Sequence, residues 1–357
     1  MARSVCLISL LPLSATGGGE RFSMSSAEAV AASGDACEVF SPENMLPHHA
    51  PLQQRLDARF VQVDARTPHH RLRTLDYRAV LNVAARSEVI LLHQFLASDL
   101  VFDLIANVCS DQELLFTTLG YEPLRELFAD LYQPCRNHHF IEISDFAAQR
   151  SKVFGKQAFG VAAGVWRADL RELCPVKAPG GICALGRVLP HKGLEVTIEA
   201  LPAGMHLSIV GPSTLDPAYT GFLRQRAAGR LVDFMGRVDD RTRLEILARS
   251  RVLVASSCTT LHTGQVLEQA ELLGLVIFEA LAQFCLPIVS DVPPFREVMS
   301  GLALQDWIYP QRDSGALRQL LVRAGHADLY PLILDAREQL LGRFDWDTYW
   351  SRVCRCL

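Results

Sequence analysis

Short apolar segments rich in β-forming residues alternate with helical patterns along this entire chain. Eleven of them have the length of a buried strand: SVCLISLL, CEVFSP, RFVQVD, EVILLH, LLFTTL, HFIEIS, GICALG, HLSIVG, VDFMG, RVLVASS and LPIVSD. Strands and helices in regular alternation form parallel sheets with helices on both faces, because each parallel connection requires a crossover. The sequence therefore predicts an α/β fold with doubly wound sheets.

The length and one break in this alternation indicate two domains. With 357 residues, of which 49% are hydrophobic and 21% charged, the chain is long enough for two ordinary cores. The break is the charged stretch 167–180, RADLRELCPVKAPG, which ends in proline and glycine. We predict two Rossmann-like domains, at 1–170 and 171–335, that face each other across a cleft. Residues 336–357 are predicted to be a helix that either completes the second core or crosses back to the first domain.

The net charge indicates which partners to expect, and the cysteine pattern indicates the cellular compartment. The formal net charge is −4 and no polybasic run is present, so nucleic acid is not an expected partner. The ten cysteines are scattered, without a CxxC pair or zinc-site spacing. Reduced thiols are expected, which favours the cytoplasm.

The N-terminal apolar run Val5–Leu13 follows Arg3, as in a secretory signal. The run is short, contains Pro12 and leads into a glycine turn, so we interpret it as the first strand. No stretch reaches the ~18 to 20 apolar residues that span a bilayer. The basic stretch RTPHHRLRTLDY, residues 66–77, is either an ordinary exposed face or a contact with an anionic membrane. We therefore expect a cytoplasmic protein, with peripheral attachment at the inner face of the membrane as the alternative.

Two cations follow the predicted strand GICALG. In the loop GRVLPHKG, Arg187 and Lys192 stand between that strand and the helical pattern LEVTIEAL. Lysine is rare in this chain, with only four among 35 basic residues. Two cations beside the unpaired amides of a helix start predict a phosphate or diphosphate site. The alternative is a solvated surface loop.

Two glutamates stand eight positions apart in the apolar segment ELLGLVIFEA. We predict a helix from Leu275, with Glu271 in the preceding loop, Gly274 at the turn and Glu279 in the first helical turns. Both carboxylates would then lie near a helix start that has unpaired amides. They either receive the hydroxyls of a sugar and a ribose, or only complement the helix dipole.

The first half of the chain offers weaker candidates. Gly17, Gly18 and Gly19 follow the first strand and permit the close approach of a substrate or of the opposite domain, but they lack the GxGxxG fingerprint. His93 ends the segment EVILLH, and His69 and His70 lie in the basic stretch. Each histidine is either an acceptor-side group or an ordinary capping or surface residue.

Taken in order, these segments resemble the group 1 glycosyltransferases, the retaining, glycogen-synthase-like family with the GT-B fold. The loop GRVLPHKG is similar to the family's GR…KG segment, LSIVG and VDFMGRVDD follow in the same order, and ELLGLVIFEALA resembles its E-x7-E element. The resemblance is clearest over 181–299. The glycine loop, IEISDFAAQRS and AAGVW resemble landmarks of the family's first domain.

The resemblance implies a hexosyltransferase that acts in polysaccharide or glycoconjugate biosynthesis. Its donor would be a UDP- or GDP-sugar, its acceptor a saccharide or a lipid-linked hydroxyl, and no metal or separate cofactor would be needed. Arg187 and Lys192 would hold the diphosphate, and Glu271 would contact the transferred sugar. Further residues that the family pattern places around the donor are Gly211, Arg237, Val238, Gly274, Leu275, Val276 and Glu279. Gly18, Gly19 and His93 would lie on the acceptor side.

Three departures from the family pattern keep other functions open. Leu119 stands in FTTLGYEP where many members have a histidine, Phe284 and Cys285 replace a usual glycine, and the insertion CTTLHTGQVLEQA precedes Glu271. The alternatives are a nucleotide-sugar-binding protein on a catalytically degenerate GT-B scaffold and a nucleotide-sugar epimerase with that fold.

Overall fold

The computed structural model of this chain describes residues 2–9, 18–41, 59–62, 77–94, 99–119, 132–154, 158–178 and 180–357. These residues form two compact units. The first comprises Met1–Ala163 together with Trp346–Leu357, and the second is Gly164–Asp345.

The first unit contains a seven-stranded sheet in which every described pair of strands is parallel. Its strands are β1 (Ser4–Ser9), β2 (Ala36–Ser41), β3 (Arg59–Gln62), β4 (Val89–His93), β5 (Glu113–Thr117), β6 (His138–Glu142) and β7 (Ala158–Gly160). They lie in the order β3-β2-β1-β4-β5-β6-β7. The described helices of its continuous part are α1 (Gly18–Ala32), α2 (Tyr77–Arg86), α3 (Asp99–Asn107) and α4 (Asp145–Ser151).

The second unit contains a six-stranded parallel sheet in the order β10-β9-β8-β11-β12-β13. Its strands are β8 (Gly181–Leu185), β9 (His206–Val210), β10 (Val232–Gly236), β11 (Val252–Ala255), β12 (Leu286–Ser290) and β13 (Ile308–Tyr309). Its helices are α5 (Leu194–Ala200), α6 (Pro217–Arg226), α7 (Asp240–Arg249), α8 (Leu275–Ala282), α9 (Pro293–Gly301), α10 (Ser314–His326) and α11 (Tyr330–Arg343). A last helix, α12 (Tyr349–Cys354), belongs to the first unit.

The strands are apolar because both faces of each sheet are covered. All five positions of β4 are buried, and so are all five of β12. Each aliphatic side chain removed from water in this way contributes about 1.5 to 3 kcal/mol before the entropic cost of folding. In both sheets the strand order reverses beside the first strand, between β1 and β4 and between β8 and β11, and ligands of doubly wound sheets bind at such a switch point.

The predicted doubly wound α/β fold is confirmed, and each of the eleven predicted strands coincides with an observed one. The analysis of the sequence missed β7 and β13. These strands have three and two residues and lie at the edges of their sheets, so they have no periodic pattern to detect.

The structure draws the boundaries of the units elsewhere than at 170/171 and 335/336. The predicted linker packs on the second unit, where Lys177 donates hydrogen bonds to the carbonyls of Ala248 and Gln283, each at 2.9 Å. Helix α11 runs through the predicted second boundary, and its Arg337 donates hydrogen bonds to the carbonyls of Leu281 and Ala282 at the end of α8. Residues 346–357 lie in the first unit, where Trp350 donates to Asp35 at 2.6 Å.

Two further observations concern the environment of the chain. No helix in the described part is both long enough and apolar enough to cross a bilayer. All ten cysteines are free thiols. The basic stretch 66–77 lies, except for Tyr77, outside the described residues, and so do His69, His70 and Gly17.

Candidate functional site

The loop that leaves β8 carries the two predicted phosphate-binding cations. Pro190–Lys192 forms a single 3-10 turn that ends at Gly193, whose φ of 56° is in the left-handed region. A Cβ atom at Gly193 would lie 2.2 Å from the carbonyl oxygen of Ser256, so only glycine fits there. The amide of Cys258 donates to the carbonyl of His191 at 2.8 Å. The Lys192 loop is therefore fixed against the segment that follows β11.

Lys192 and Glu271 form an ion pair between their Nζ and Oε1 atoms. The hydroxyl of Ser257 donates to the same carboxylate oxygen at 2.7 Å. Both charged side chains are mostly buried, with 22% and 15% of their surface exposed. Burial alone would raise the pKa of Glu271, but the charge of Lys192 and the hydrogen bonds from Lys192 and Ser257 hold it below its usual value. Glu271 is therefore ionised near neutral pH.

Arg187 and His191 border this pair. Arg187 is exposed, and within the described ranges its guanidinium has no hydrogen bond or ion pair. Burial, together with the nearby charges of Lys192 and Arg187, lowers the pKa of His191 to about 4, although Glu271 acts in the opposite direction. His191 is thus neutral at pH 7, and the positive charge of the loop is that of Arg187 and Lys192.

The start of α5 does not supply the free amides expected beside these cations. The amide of Leu194, its first residue, donates to the hydroxyl of Tyr219 at 3.1 Å. That hydroxyl in turn donates to the buried carboxylate of Glu195 at 2.5 Å. The same carboxylate accepts a hydrogen bond from Arg312 at 3.1 Å. Burial and the neighbouring Glu195 raise the pKa of Tyr219, so it remains a neutral donor. The expectation of an unpaired amide at Leu194 was therefore wrong, whereas phosphate binding by Arg187 and Lys192 stays a prediction.

The start of α8 does have the predicted form. The helix begins at Leu275, with Gly274 as its N-cap at a φ of 96°. A Cβ atom at Gly274 would lie 2.5 Å from the ring of Phe295, a second reason for glycine at this turn. Among the described residues, the amides of Leu275 and Val276 donate no hydrogen bond, whereas that of Ile277 bonds the Gly274 carbonyl at 3.0 Å. Two amide donors at the positive end of the helix dipole remain available to an anion.

Glu279 lies one turn further along α8 and pairs with Arg243 of α7. The Arg243 Nη1 and Glu279 Oε2 atoms are 2.6 Å apart, and 15% of each side chain is exposed. A second nitrogen of Arg243 lies 3.1 Å from Asp240, three residues earlier on the same helix. The sequence analysis missed Arg243. The only signal in the sequence was its position three residues after Asp240.

The remaining donor-side residues follow β9 and β10. A Cβ atom at Gly211 would lie 1.9 Å from the carbonyl oxygen of Gly186, so this glycine permits the ends of β8 and β9 to pack together. Arg237 is exposed and Val238 half-buried, directly after β10. Asp239 then caps α7, accepting a hydrogen bond from the amide of Thr242 at 2.7 Å. Asp239 thereby marks the start of this helix.

The acceptor-side candidates are at the carboxyl edge of the first sheet. Gly18 begins α1, and a Cβ atom at Gly19 would lie 2.5 Å from the side chain of Gln94. His93 is buried, with its Nδ1 3.0 Å from the hydroxyl of Ser23, and burial lowers its pKa to about 3. Leu119 and Gln94 both have a φ of 50°, which is strained for residues other than glycine.

The other departures from the family pattern are at Phe284 and in the insertion before Glu271. Phe284 has a φ of 57°, a conformation in which glycine is usual. The Cζ atom of Arg337 lies 3.9 Å from the centroid of the Phe284 ring, and the Tyr330 ring stacks on it with 5.9 Å between the centroids. The insertion before Glu271 folds back on itself through an antiparallel bridge between Thr260 and Val266. Its His262 ring stacks on Phe222 of α6 at 4.8 Å.

No group of three or more His, Cys, Asp or Glu side chains is arranged to hold a metal ion within the described ranges. The predicted site residues instead include two ion pairs, Lys192–Glu271 and Arg243–Glu279. Arg187 lies beside the first pair and has no ion pair within the described part of the chain.

Comparison with known proteins finds similarity to glycosyltransferases. Residues 179–324 match the profile of a family described as "Glycosyl transferases group 1". A phosphatidyl-myo-inositol mannosyltransferase of Mycobacterium leprae is 26% identical over 233 residues, which is 60% of this chain and 57% of that protein. Its Mycobacterium tuberculosis counterpart is 27% identical over 191 residues, which is 46% of this chain and 43% of that protein. The chain thus spans about half the length of the curated relatives it matches.

Solved structures are similar to this chain over nearly its full length. A glycosyltransferase from Rickettsia africae has a TM-score of 0.75 at 14% identity, covering 100% of this chain and 98% of the other. Anabaena HepE, solved in complex with UDP and glucose, has a TM-score of 0.73 at 14% identity, covering 99% of each chain. At such identities the likeness shows the fold alone. Residues 179–324 are thus similar to the group 1 glycosyltransferases, and the chain has the GT-B fold of its structural neighbours.

Proposed function

We propose that this protein is a retaining hexosyltransferase that moves a sugar from a UDP- or GDP-sugar to an acceptor hydroxyl without a metal ion. The observation that carries the proposal is the cluster in the second unit where Lys192 contacts Glu271, four residues before the first residue of α8. This cluster combines cationic side chains with free backbone amides, which are the groups that bind a diphosphate.

Departure of the nucleoside diphosphate is the demanding step, because negative charge grows on the leaving oxygens as the sugar becomes oxocarbenium-like. Arg187 and Lys192 would neutralise that charge, and the amides of Leu275 and Val276 would donate hydrogen bonds to it. Groups fixed before the reaction starts stabilise such a transition state without a reorganisation cost. The loop of Lys192 is held by backbone contacts, and the α8 amides are held by the helix.

The two glutamates would contact different parts of the donor. Glu279 would accept hydrogen bonds from the ribose, with its carboxylate held in place by Arg243. Glu271 would face the transferred sugar, where positive charge develops. Lys192 therefore has two alternative anionic partners, Glu271 before donor binding and the diphosphate afterwards.

Retention of configuration would follow from attack on the face that the diphosphate leaves. The bond between the anomeric carbon and the phosphate oxygen breaks, the bond to the acceptor oxygen forms, and the acceptor proton passes to the departing phosphate. This scheme assigns no covalent intermediate to the protein. The side chains bind, orient and stabilise charge.

The first unit would bind the acceptor near Gly18, Gly19 and His93. The curated relatives are named as mannosyltransferases acting on phosphatidyl-myo-inositol. We extend from them only the class of reaction, with a hexosyl donor and a saccharide or lipid-linked acceptor. Such an acceptor is compatible with a cytoplasmic protein that visits the inner face of the membrane.

A panel of radiolabelled UDP- and GDP-hexoses tests the proposal, incubated with saccharide and lipid acceptors in the presence and absence of EDTA. We expect transfer from one donor class, unchanged by EDTA, with the donor's anomeric configuration retained in the product NMR spectrum. If the protein binds a nucleotide sugar but neither transfers the sugar nor slowly hydrolyses the donor, the binding-protein alternative would be favoured. Isomerisation of the donor sugar would favour the epimerase. Inversion, or activity restored only by Mn²⁺, would contradict the mechanism.

A further inference from the structure

Two adjacent buried serines, Ser256 and Ser257, follow β11 at the switch point of the second sheet. They have no role in the mechanism above. Each hydroxyl nevertheless contacts a different partner of the Lys192–Glu271 ion pair.

Ser257 acts on the carboxylate. Its hydroxyl donates to Glu271 Oε1 at 2.7 Å, the same oxygen that pairs with Lys192. The backbone of Ser257 is itself fixed, because Ser290 at the end of β12 donates a short hydrogen bond to its carbonyl. The position of the Glu271 carboxylate is therefore linked to the neighbouring strand of the sheet.

Ser256 acts on the loop of the cation. Its hydroxyl donates to the backbone carbonyl of Lys192 at 2.8 Å and accepts a hydrogen bond from Thr197 of α5 at 2.9 Å. The carbonyl of Ser256 also fills the space beside Gly193. The loop that presents Lys192 thus rests on Ser256, whereas the lysine side chain does not touch it.

We propose that Ser256 and Ser257 are positioning residues for the transfer reaction, Ser256 holding the loop that presents Lys192 to the diphosphate and Ser257 holding the carboxylate of Glu271 toward the sugar. This inference rests on the proposed function. It predicts two separable effects, because one serine acts on the cation and the other on the anion.

Loss of the Ser257 hydroxyl has a consequence that simple loss of packing does not. Among the described residues, the charged or titratable groups that face Glu271 are Lys192 and His191, and Ser257 is its other hydrogen-bond donor. Without that donor the ionised form of Glu271 is less stabilised, so its pKa moves upward. The acid limb of the kcat profile moves to higher pH with it.

The experiment compares Ser257→Ala, Ser257→Thr and Ser256→Ala with Ser250→Ala as the matched control. Ser250 precedes β11 at the opposite edge of the sheet, and its hydroxyl donates to the carbonyl of Ile246 at 2.8 Å. Ser250→Ala and Ser257→Ala each lose one part-buried hydrogen bond, and Ser256→Ala loses the two hydrogen bonds of its hydroxyl. Kinetics are measured with the donor found in the panel, nucleoside diphosphate binding by calorimetry, and the Glu271 carboxyl by ¹³C-detected NMR titration.

We expect Ser257→Ala to lower kcat about tenfold, the effect of one hydrogen bond to a charged group, with little change in the donor KM. Its carboxyl titration should move upward, and Ser257→Thr should restore both properties. Ser256→Ala should instead weaken nucleoside diphosphate binding about tenfold and leave the titration of Glu271 in place.

The inference is overturned if Ser257→Ala and Ser256→Ala behave like Ser250→Ala, or if Ser257→Ala leaves the Glu271 titration unmoved. The titration needs no turnover, so it tests the role of Ser257 even if no donor is transferred. A wild-type protein that neither binds a nucleoside diphosphate nor transfers a sugar would contradict the proposed function instead.

Discussion

Replacement of Glu271 by glutamine should improve the binding of a nucleoside diphosphate while it impairs transfer. In the unliganded protein, Lys192 is paired with Glu271, and this pairing must be given up when the diphosphate arrives. The glutamine keeps the shape of the side chain and removes its charge. Lys192 then has no anionic partner to lose, and the donor phosphates no longer approach a carboxylate.

The magnitude follows from the burial of the pair. Exposed ion pairs contribute about 0 to 1 kcal/mol, and removing one partner of a fully buried pair costs about 3 to 5 kcal/mol. The Lys192 and Glu271 side chains are 22% and 15% exposed, so we take an intermediate value of about 1 to 2 kcal/mol. The Kd of UDP or GDP should therefore fall about 5- to 30-fold. At the same time kcat should decrease, because the contact with the developing positive charge of the sugar is lost.

Calorimetric titration with UDP and GDP, beside steady-state kinetics, measures both effects. Glu245→Gln is the matched control, since it removes one carboxylate from an exposed pair with Arg241 in the same unit. It should change neither quantity. Binding of the diphosphate that is unchanged or weaker in Glu271→Gln, with kcat intact, would refute the exchange of partners at Lys192.

The remaining predictions concern the cations, the helix turn and a buried histidine. Arg187→Ala or Lys192→Ala should lower the transfer rate ~30- to 1,000-fold with the fold preserved, by analogy with the loss of one oxyanion donor, and normal turnover by folded variants would exclude that role. Gly274→Ala should lower the thermal unfolding midpoint by the equivalent of about 1 to 3 kcal/mol, because of its φ of 96° and the ring of Phe295, and an unchanged midpoint would contradict this. Burial lowers the pKa of His93 in the folded protein to about 3, below its ordinary value of about 6.5. The contribution of the neutral imidazole to the free energy of unfolding is therefore complete above about pH 6.5 and is lost as the pH falls toward 3. The loss is at most about 1.4 kcal/mol per pH unit. Denaturant unfolding of His93→Asn between pH 6.5 and 4 should show a shallower slope than the wild type, and equal slopes would contradict burial of a neutral imidazole.

The sequence predicts best what depends on neighbouring residues. Eleven of the thirteen described strands were predicted because a strand covered on both faces is a continuous apolar run, as β12 illustrates. The start of α8 was predicted for a similar reason, since Gly274 directly precedes a helical apolar pattern. These features need only a few consecutive residues, and so they are visible in the sequence.

Features that depend on distant residues were not predicted. The hydroxyl of Tyr219 in α6 accepts a hydrogen bond from the amide of Leu194 in α5, and Arg243 of α7 forms an ion pair with Glu279 of α8. Phe284 takes a conformation typical of glycine, and Arg337 of α11 stacks on its ring. Each contact is fixed by the packing of two helices, and no local pattern indicates which side chains will meet.

The most direct test of the account is a crystal structure of the protein with a bound nucleoside diphosphate. We predict that Lys192 Nζ leaves Glu271 and contacts the diphosphate together with Arg187, that the amides of Leu275 and Val276 donate to its oxygens, and that the ribose hydroxyls bond Glu279. A nucleotide bound away from the start of α8, or a diphosphate in that site while Lys192 remains paired with Glu271, would contradict the account.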